Sequence, residues 1–118
     1  MHIPSRTVNP ADLVLEHCRV DGTDRGVRAL QHYGSTKSTS HLEVGLFVLL
    51  PHAAPHAVHT HPEEELLIVA HGRGEVECQG VRREVGPGSV TYVASLVPHG
   101  IRNTGEQELT FHWVKWLG

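Results

Sequence analysis

From His41 onward, the chain is divided into short apolar runs by glycine, proline and asparagine residues, with no helical period between them. Many short strands at close spacing are typical of an antiparallel sandwich or barrel. The sequence therefore predicts an all-β fold, either an antiparallel sandwich or a small antiparallel β-barrel. The predicted strands cover HLEVGLFVLL, LLIVAHG, the two halves of GEVECQGVRREV around a turn at Gln79-Gly80, GSVTYVA, HGIRNTG and ELTFHWVKW.

Residues 1–40 are less regular, and we predict an N-terminal arm or edge strands there, followed by a barrel over 41–118. Asn9 could cap a short helix over ADLVLEHC, with Pro10 at its first position. An extended arm along the barrel edge is the alternative, and the sequence leaves both open. The polar stretch GSTKSTS, Gly34 to Ser40, predicts a loop.

The composition narrows the classes of partner. A chain of 118 residues suggests one domain with one core. Its net charge of −3 gives no sign of a nucleic-acid footprint. There is no apolar run of the ~20 residues of a membrane span, and no signal-peptide pattern at the N-terminus. We therefore expect a cytoplasmic protein without nucleic-acid or membrane partners, with Cys18 and Cys78 as free thiols.

Histidine is the unusual component, at 11 residues, and it concentrates in the stretch HAVHTHPEEELLIVAHGRG. In an extended segment, His59 and His61 share a face, with Cβ atoms about 6–7 Å apart. Imidazole nitrogens bind a divalent cation at ~2.0–2.1 Å, so both rings could meet one ion. Glu65 heads the next apolar run, where a lone carboxylate would be costly to bury unless it shared that cation. Glu63 is the second choice of carboxylate.

A second stretch, GSVTYVASLVPHGIRN, places His99 at the start of another strand, with Asn103 on the same face. A histidine brought in from this strand would complete a site that no local segment could build. A histidine-rich surface loop would produce a similar pattern in the first stretch, and spacing alone leaves that alternative open.

Together the two stretches resemble the motifs of the cupin superfamily. The first motif is similar to G(x)5HxH(x)3–4E(x)6G, which is matched by His59, His61, Glu65 and Gly72, with Ala53 at the leading glycine. The second is similar to G(x)5PxG(x)2H(x)3N, which is matched by Gly88, His99 and Asn103, with Ala94 and Leu96 at the proline and second glycine. The departures in the second motif concern the turn before His99, and all the departures leave the ligand positions intact.

The resemblance implies a jelly-roll barrel of two facing sheets, the double-stranded β-helix. It implies one divalent transition metal, which could be iron, manganese, nickel, copper, zinc or cobalt. Three histidines and one glutamate would bind the metal, and His59, His61, Glu65 and His99 take those places. It also implies a homodimer, often with exchanged N-terminal strands. Residues 1–40 would then supply the exchanged segment.

Such a site predicts a metal-dependent enzyme that acts on a small anionic or oxygen-chelating molecule, because an ion with four protein ligands retains open positions. Dioxygenase-type oxidation or C–C cleavage is the first choice of reaction. Isomerase, lyase or decarboxylase chemistry is the alternative. A non-catalytic small-ligand binder, or a metal that only stiffens the barrel, would belong to a different class.

Two further residues are weaker catalytic candidates. Tyr92 could be a proton donor inside the barrel, although a packed tyrosine is the plainer interpretation. His112, on the last strand, could be a polar group near the site, or a core or surface histidine. Strand alternation also predicts that Ile101 points inward and that Trp113 and Trp116 point to opposite faces.

Overall fold

The computed structural model describes residues 2–118, which form an antiparallel all-β fold, as predicted. The nine strands are β1 Glu16–Val20, β2 Thr23–Gly34, β3 His41–Leu49, β4 Glu64–His71, β5 Gly74–Cys78, β6 Val81–Val85, β7 Val90–Val93, β8 His99–Asn103 and β9 Leu109–Leu117. They make a six-stranded sheet in the order β1-β2-β3-β9-β4-β7 and a three-stranded sheet in the order β6-β5-β8. Within residues 2–118, no helix is long and apolar enough to cross a membrane.

The core lies between the two sheets, which therefore face each other. Each predicted apolar run from His41 onward is a strand. The predicted turn joins β5 to β6, where Gln79 and Gly80 both have positive φ, at 55° and 79°. Two such residues between antiparallel strands are typical of a tight hairpin turn. The buried core draws Phe47, Leu49, Leu67, Val69, Leu109 and Phe111 from the larger sheet and Val76, Val85 and Ile101 from the smaller.

The N-terminal region adds two strands to the larger sheet. The helical alternative holds for one 3-10 turn only, Pro10–Asp12, in which the Asp12 carboxylate accepts a hydrogen bond from the backbone N–H of Asn9 at 2.8 Å. The chain then becomes extended, and β1 pairs with β2, which pairs with β3. The predicted boundary at residue 41 falls at the start of β3, after a loop that begins at the end of β2.

The register of the larger sheet decides which side chains face inward. Alternate residues of β3 are buried from Gly45 onward, which fixes the inner face. Residues paired across antiparallel strands point to the same side, so the inner face of β9 and β4 follows. Three transverse rows cross β3, β9 and β4 there: Glu43, Lys115 and Glu65; Gly45, Trp113 and Leu67; and Phe47, Phe111 and Val69.

The turn before His99 keeps its shape without the glycine that the motif specifies. Leu96 takes the left-handed conformation, φ 65°, at the position of the second glycine. Its backbone N–H donates to the carbonyl of His61 at 2.9 Å, and the N–H of Val97 donates to Ala94 at 3.2 Å. Leu96 therefore adopts, within this turn, a backbone conformation that is unfavourable for any residue with a side chain.

Candidate metal centre

The two histidine-bearing stretches meet through the backbone. His59, in the connection between β3 and β4, forms an antiparallel bridge with His99, the first residue of β8. Each of their backbone N–H groups donates to the carbonyl of the other at 3.0 Å. Residues that are 40 positions apart are thereby fixed side by side, with both rings at the same end of the barrel.

The three imidazoles of His59, His61 and His99 form a compact cluster. Their ligating nitrogens all lie within 4.8 Å of one another. The ring centroids are 5.2 Å apart for His59 and His61, 4.9 Å for His59 and His99, and 4.6 Å for His61 and His99. The rings are steeply inclined to one another rather than stacked, so their nitrogens can point to a shared centre. These three residues can hold one metal ion.

Backbone carbonyls orient two of the rings. The Nδ1 of His61 lies 3.0 Å from the carbonyl of Glu63, and the Nδ1 of His99 lies 2.9 Å from that of Val97. A carbonyl only accepts, so each Nδ1 is the donor and each Nε2 keeps its lone pair for another partner. Metal-ligating histidines are usually oriented in this way.

Glu65 places a carboxylate at the same point. It is 6% exposed, and its Oε1 lies 3.3 Å from Nε2 of His61 and 2.9 Å from Nε2 of His99. The Nε2 of His99 is itself buried and makes no hydrogen bond of suitable geometry. Two imidazole nitrogens and a buried carboxylate oxygen that converge in this way suit a divalent cation. That Glu65 is the fourth ligand remains a prediction.

The electrostatics of the cluster differ from one histidine to the next. Burial, reinforced by repulsion from His56, His99 and His61, lowers the pKa of His59 to about 4. Burial would also lower the pKa of His99, but the Glu65 carboxylate and the Val97 carbonyl outweigh it and raise that pKa. His59 is therefore neutral near pH 7, the form in which an imidazole binds metal.

The predicted second choice, Glu63, lies farther from the centre. Its Oε1 is 3.7 Å from Nδ1 of His61, on the side of the ring that faces away from the cluster. His56 is exposed but stacks on His59 with a centroid separation of 3.7 Å. His56 also lines the cavity that opens onto the cluster. The alanine and proline residues around it in the sequence gave no indication of this position.

A cavity of about 260 Å³ opens onto the cluster. Its apolar wall includes Phe47, Phe111 and Trp113, and its charged residues are Arg28, Glu43, Glu65 and Lys115. Sequence reasoning missed Arg28, Glu43 and Lys115 as cavity residues. Strand alternation from Trp113 could have found Lys115, which lies two residues on, whereas the other two needed the sheet register.

Trp113 fixes one of these charges in place. Gly45 is opposite it in the register, and an added Cβ there would clash with the indole ring, so only glycine lets the ring lie across β3. The indole Nε1–H then donates to Oε2 of Glu43 at 2.7 Å, and Nζ of Lys115 is 3.5 Å from the same oxygen. Trp116 points to the opposite face, as predicted, and donates to Glu64.

The structure places both weaker catalytic candidates outside the cavity. Tyr92 is 54% exposed and its hydroxyl donates to the Glu64 carboxylate, so the expectation that it faces the barrel interior is wrong. It pairs with Leu66, on the outer face of the larger sheet. His112 has the opposite parity to Trp113, lies on that same outer face, and its Nδ1 is 3.0 Å from Oε1 of Gln31. Neither lines the cavity that opens onto the metal cluster.

Comparison with known proteins identifies the family. A family model described as "Cupin domain" matches residues 45–115, which is more than half of the chain. The protein therefore belongs to the cupin domain family, and residues 2–118 form a single cupin barrel. No curated protein matches the sequence.

Solved structures agree on the fold. An RmlC-like cupin from Shewanella frigidimarina superposes with a TM-score of 0.77 at 16% identity, covering 100% of this chain and 96% of the other. A protein described as a predicted oxalate decarboxylase from Thermotoga maritima gives 0.76 at 21%, covering 96% and 100%. The polyketide cyclase RemF from Streptomyces resistomycificus gives 0.75 at 21%, covering 98% and 81%. Identities this low establish a shared fold and no shared reaction.

Proposed function

We propose that this protein is a metal-dependent enzyme that acts on a small, oxygen-chelating organic anion. One observation carries the proposal: three imidazoles and one buried carboxylate converge at the end of a cavity that a small molecule could enter. We assign His59, His61, His99 and Glu65 as the ligands of one divalent first-row metal. A metal held by this set supplies Lewis-acid chemistry and, for iron or manganese, redox chemistry.

The chain's own residues would prepare the site for the substrate. The Glu63 and Val97 carbonyls fix two imidazoles before any metal arrives, which limits the reorganisation needed on binding. Phe47, Phe111 and Trp113 exclude water from one side of the cavity. Since the two carboxylates and two cations of the lining cancel, a divalent ion would leave the cavity with a net charge of about +2, which favours anions.

Within this class, we favour dioxygenase-type oxidation or C–C cleavage, because four protein ligands leave room for both substrate and O₂ on a six-coordinate ion. Lyase or decarboxylase chemistry is the second candidate. The protein described as a predicted oxalate decarboxylase has a similar fold, although it is only 21% identical to this chain. Decarboxylation is therefore included among the reactions to be tested.

The test begins with the metal content of protein purified without added metal. Replacing His99 with alanine should lower the metal content by roughly tenfold or more, since loss even of an orienting partner of a ligand commonly costs 10–100-fold in affinity. His59→Ala should behave in the same way. His71→Ala, which removes an exposed histidine on β4, is the matched control and should leave the content unchanged.

The second stage separates a catalytic ion from a structural one. Loaded protein is screened against keto acids, diols and phenolic compounds, with O₂ consumption and product formation as readouts. Removal of the metal should leave a folded and inactive barrel. Equal metal content in wild type, His59→Ala and His99→Ala would refute the site, and unfolding on metal removal without any turnover would favour a structural ion.

We further propose a homodimer, formed through the outer face of the larger sheet. On that face β3 presents Leu42, Val44, Leu46 and Val48, and β4 presents Leu66 and Ile68. A solvated face of an antiparallel sheet would alternate to polar residues at these positions. The N-terminal segment also exposes Val14 and Leu15, at 76% and 56%, which suits an arm that packs on a second copy.

A further inference from the structure

Arg28 lines the cavity without a partner of its own. It lies on β2, directly opposite Phe47 of β3 in the register, and therefore on the inner side of the sheet. Its side chain is exposed at the cavity mouth, and no hydrogen bond or ion pair involves its guanidinium among residues 2–118. Arginine offers a planar fork of donors that matches a carboxylate in two parallel hydrogen bonds.

The other cation of the cavity is already compensated. Lys115 is 23% exposed, and its ammonium lies 3.5 Å from Oε2 of Glu43. That carboxylate is held in place by the Trp113 indole at 2.7 Å. An incoming anion would have to compete with Glu43 for Lys115, but it would meet no competitor at Arg28. The free positive charge of the cavity therefore belongs to Arg28.

Arg28 and the metal cluster stand at different rows of the same inner face. Glu43 lies in the transverse row of Glu65, and Phe47 lies four residues farther along β3 in the row of Arg28. At ~3.3 Å per residue, the two rows are about 13 Å apart. Between the two polar ends, the wall is formed by Phe47, Phe111 and Trp113. A ligand that used both ends would need a flat, apolar middle.

We propose that Arg28 is a carboxylate-binding residue and that the ligand of this cavity is a small carboxylate with a flat apolar body. Its carboxylate pairs with Arg28, and its chelating oxygens face His59, His61 and His99. The volume of about 260 Å³ lies below the ~300–1,000 Å³ of pockets for drug-sized ligands, which limits the body to about one ring. This inference rests on the proposed metal site, whose metal content is measured separately below.

The test uses protein loaded with zinc, which binds ligands without redox turnover. The probes are protocatechuate, with catechol hydroxyls and a carboxylate at opposite ends of one ring, and its neutral primary amide. Titration calorimetry should show that wild type prefers the carboxylate by about tenfold, a typical value for one charge-assisted pair. Arg28→Gln should lose this preference while its affinity for the amide stays unchanged, and Arg28→Lys should restore it only in part.

Two variants serve as comparisons. Arg102→Gln makes the same change at an exposed, outward residue of β8 and should keep the full preference. Lys115→Met removes the compensated cation and should also keep most of it. An equal preference in wild type and Arg28→Gln, or its loss only in Lys115→Met, overturns the assignment of Arg28. Zinc is quantified in every sample: wild type that binds zinc but shows no carboxylate preference refutes this inference alone, whereas wild type that binds no zinc refutes the metal site as well.

Discussion

At the scale of single residues, His59 shows how a cluster shapes its own protonation. Its pKa is lowered to about 4, first by burial and then by the neighbouring imidazoles. In the unfolded chain, the same group would titrate near 6.5. Between these two values, the unfolded state binds more protons than the folded state, so the metal-free protein loses stability as pH falls from about 6.5 to 4.

We therefore expect that His59→Gln flattens the pH dependence of stability. Metal-free wild type should lose more unfolding free energy than the variant between pH 7 and pH 4.5, as measured by chemical denaturation at both values. His71→Gln, at an exposed position outside the cluster, should follow the wild type. Parallel pH profiles for wild type and His59→Gln would show that this group does not contribute in the stated direction.

Leu96 shows a different residue-scale effect. Its φ of 65° costs a non-glycine residue about 1–2 kcal/mol, and its side chain is 63% exposed, so little packing compensates. Glycine would remove that strain but would cost about 0.5–1 kcal/mol in the entropy of the unfolded chain. The balance favours the glycine that the family motif places here.

We expect Leu96→Gly to raise the unfolding free energy by about 0.5–1 kcal/mol, as measured by denaturant unfolding of metal-free protein. Ala94→Gly, in the same turn but without a positive φ, is the control and should lower it by a similar amount. A loss of stability in both variants would mean that the conformation of Leu96 carries no strain.

At the scale of elements, Asn103 ties the end of β8 to the end of β3. Its side chain is fully buried, and its amide nitrogen lies within 3.2 Å of the carbonyls of Leu49, Leu50 and Gln107. Its Oδ1 accepts the backbone N–H of Gly105 at 2.9 Å. Strand alternation predicted that this asparagine points inward, on the face of His99. The contacts by which Asn103 connects these segments follow from the packing of the two sheets.

Asn103→Ala should destabilise the protein by about 2–4 kcal/mol, because several buried backbone groups lose their partner at once. Thermal and denaturant unfolding of metal-free protein measure the loss. The adjacent exposed Thr104→Ala should change stability by less than about 0.5 kcal/mol. If Asn103→Ala lowered the unfolding free energy as little as the control, water would be able to replace the hydrogen bonds of the Asn103 side chain.

At the scale of the whole molecule, the outer face of the larger sheet is the surface through which we expect the protein to dimerise. Two rows of cross-strand neighbours on that face, Val44–Val114–Leu66–Tyr92 and Leu46–His112–Ile68–Val90, are apolar or aromatic except for one histidine. Such a continuous apolar patch is characteristic of an interface between subunits. The same geometry explains why Tyr92 and His112 are absent from the cavity.

Wild type should therefore show twice the 13.0 kDa chain mass in light scattering. Leu46→Glu places a charge in the middle of the patch and should shift the protein to monomer, with Val44→Glu as a second variant. Val81→Glu, at a 59% exposed position on β6, is the control and should leave the mass unchanged. Circular dichroism monitors folding, and a folded Leu46→Glu variant that keeps the dimer mass would exclude this face.

From local alternation, the sequence by itself predicted the strands from His41 onward and the turn at Gln79-Gly80. The resemblance to the family motifs predicted the cluster of His59, His61 and His99, because motif spacing is also a property of the chain alone. The sequence left open the path of residues 1–40, where one helical turn and two strands were both compatible with the local residues. The tertiary structure decided which face of each strand is inner, and so it placed Arg28 and Lys115 at the cavity and Tyr92 outside it. The physical reason is that the sheet register sets which strands are neighbours and which side chains share a face, and this pairing depends on contacts between residues far apart in the sequence.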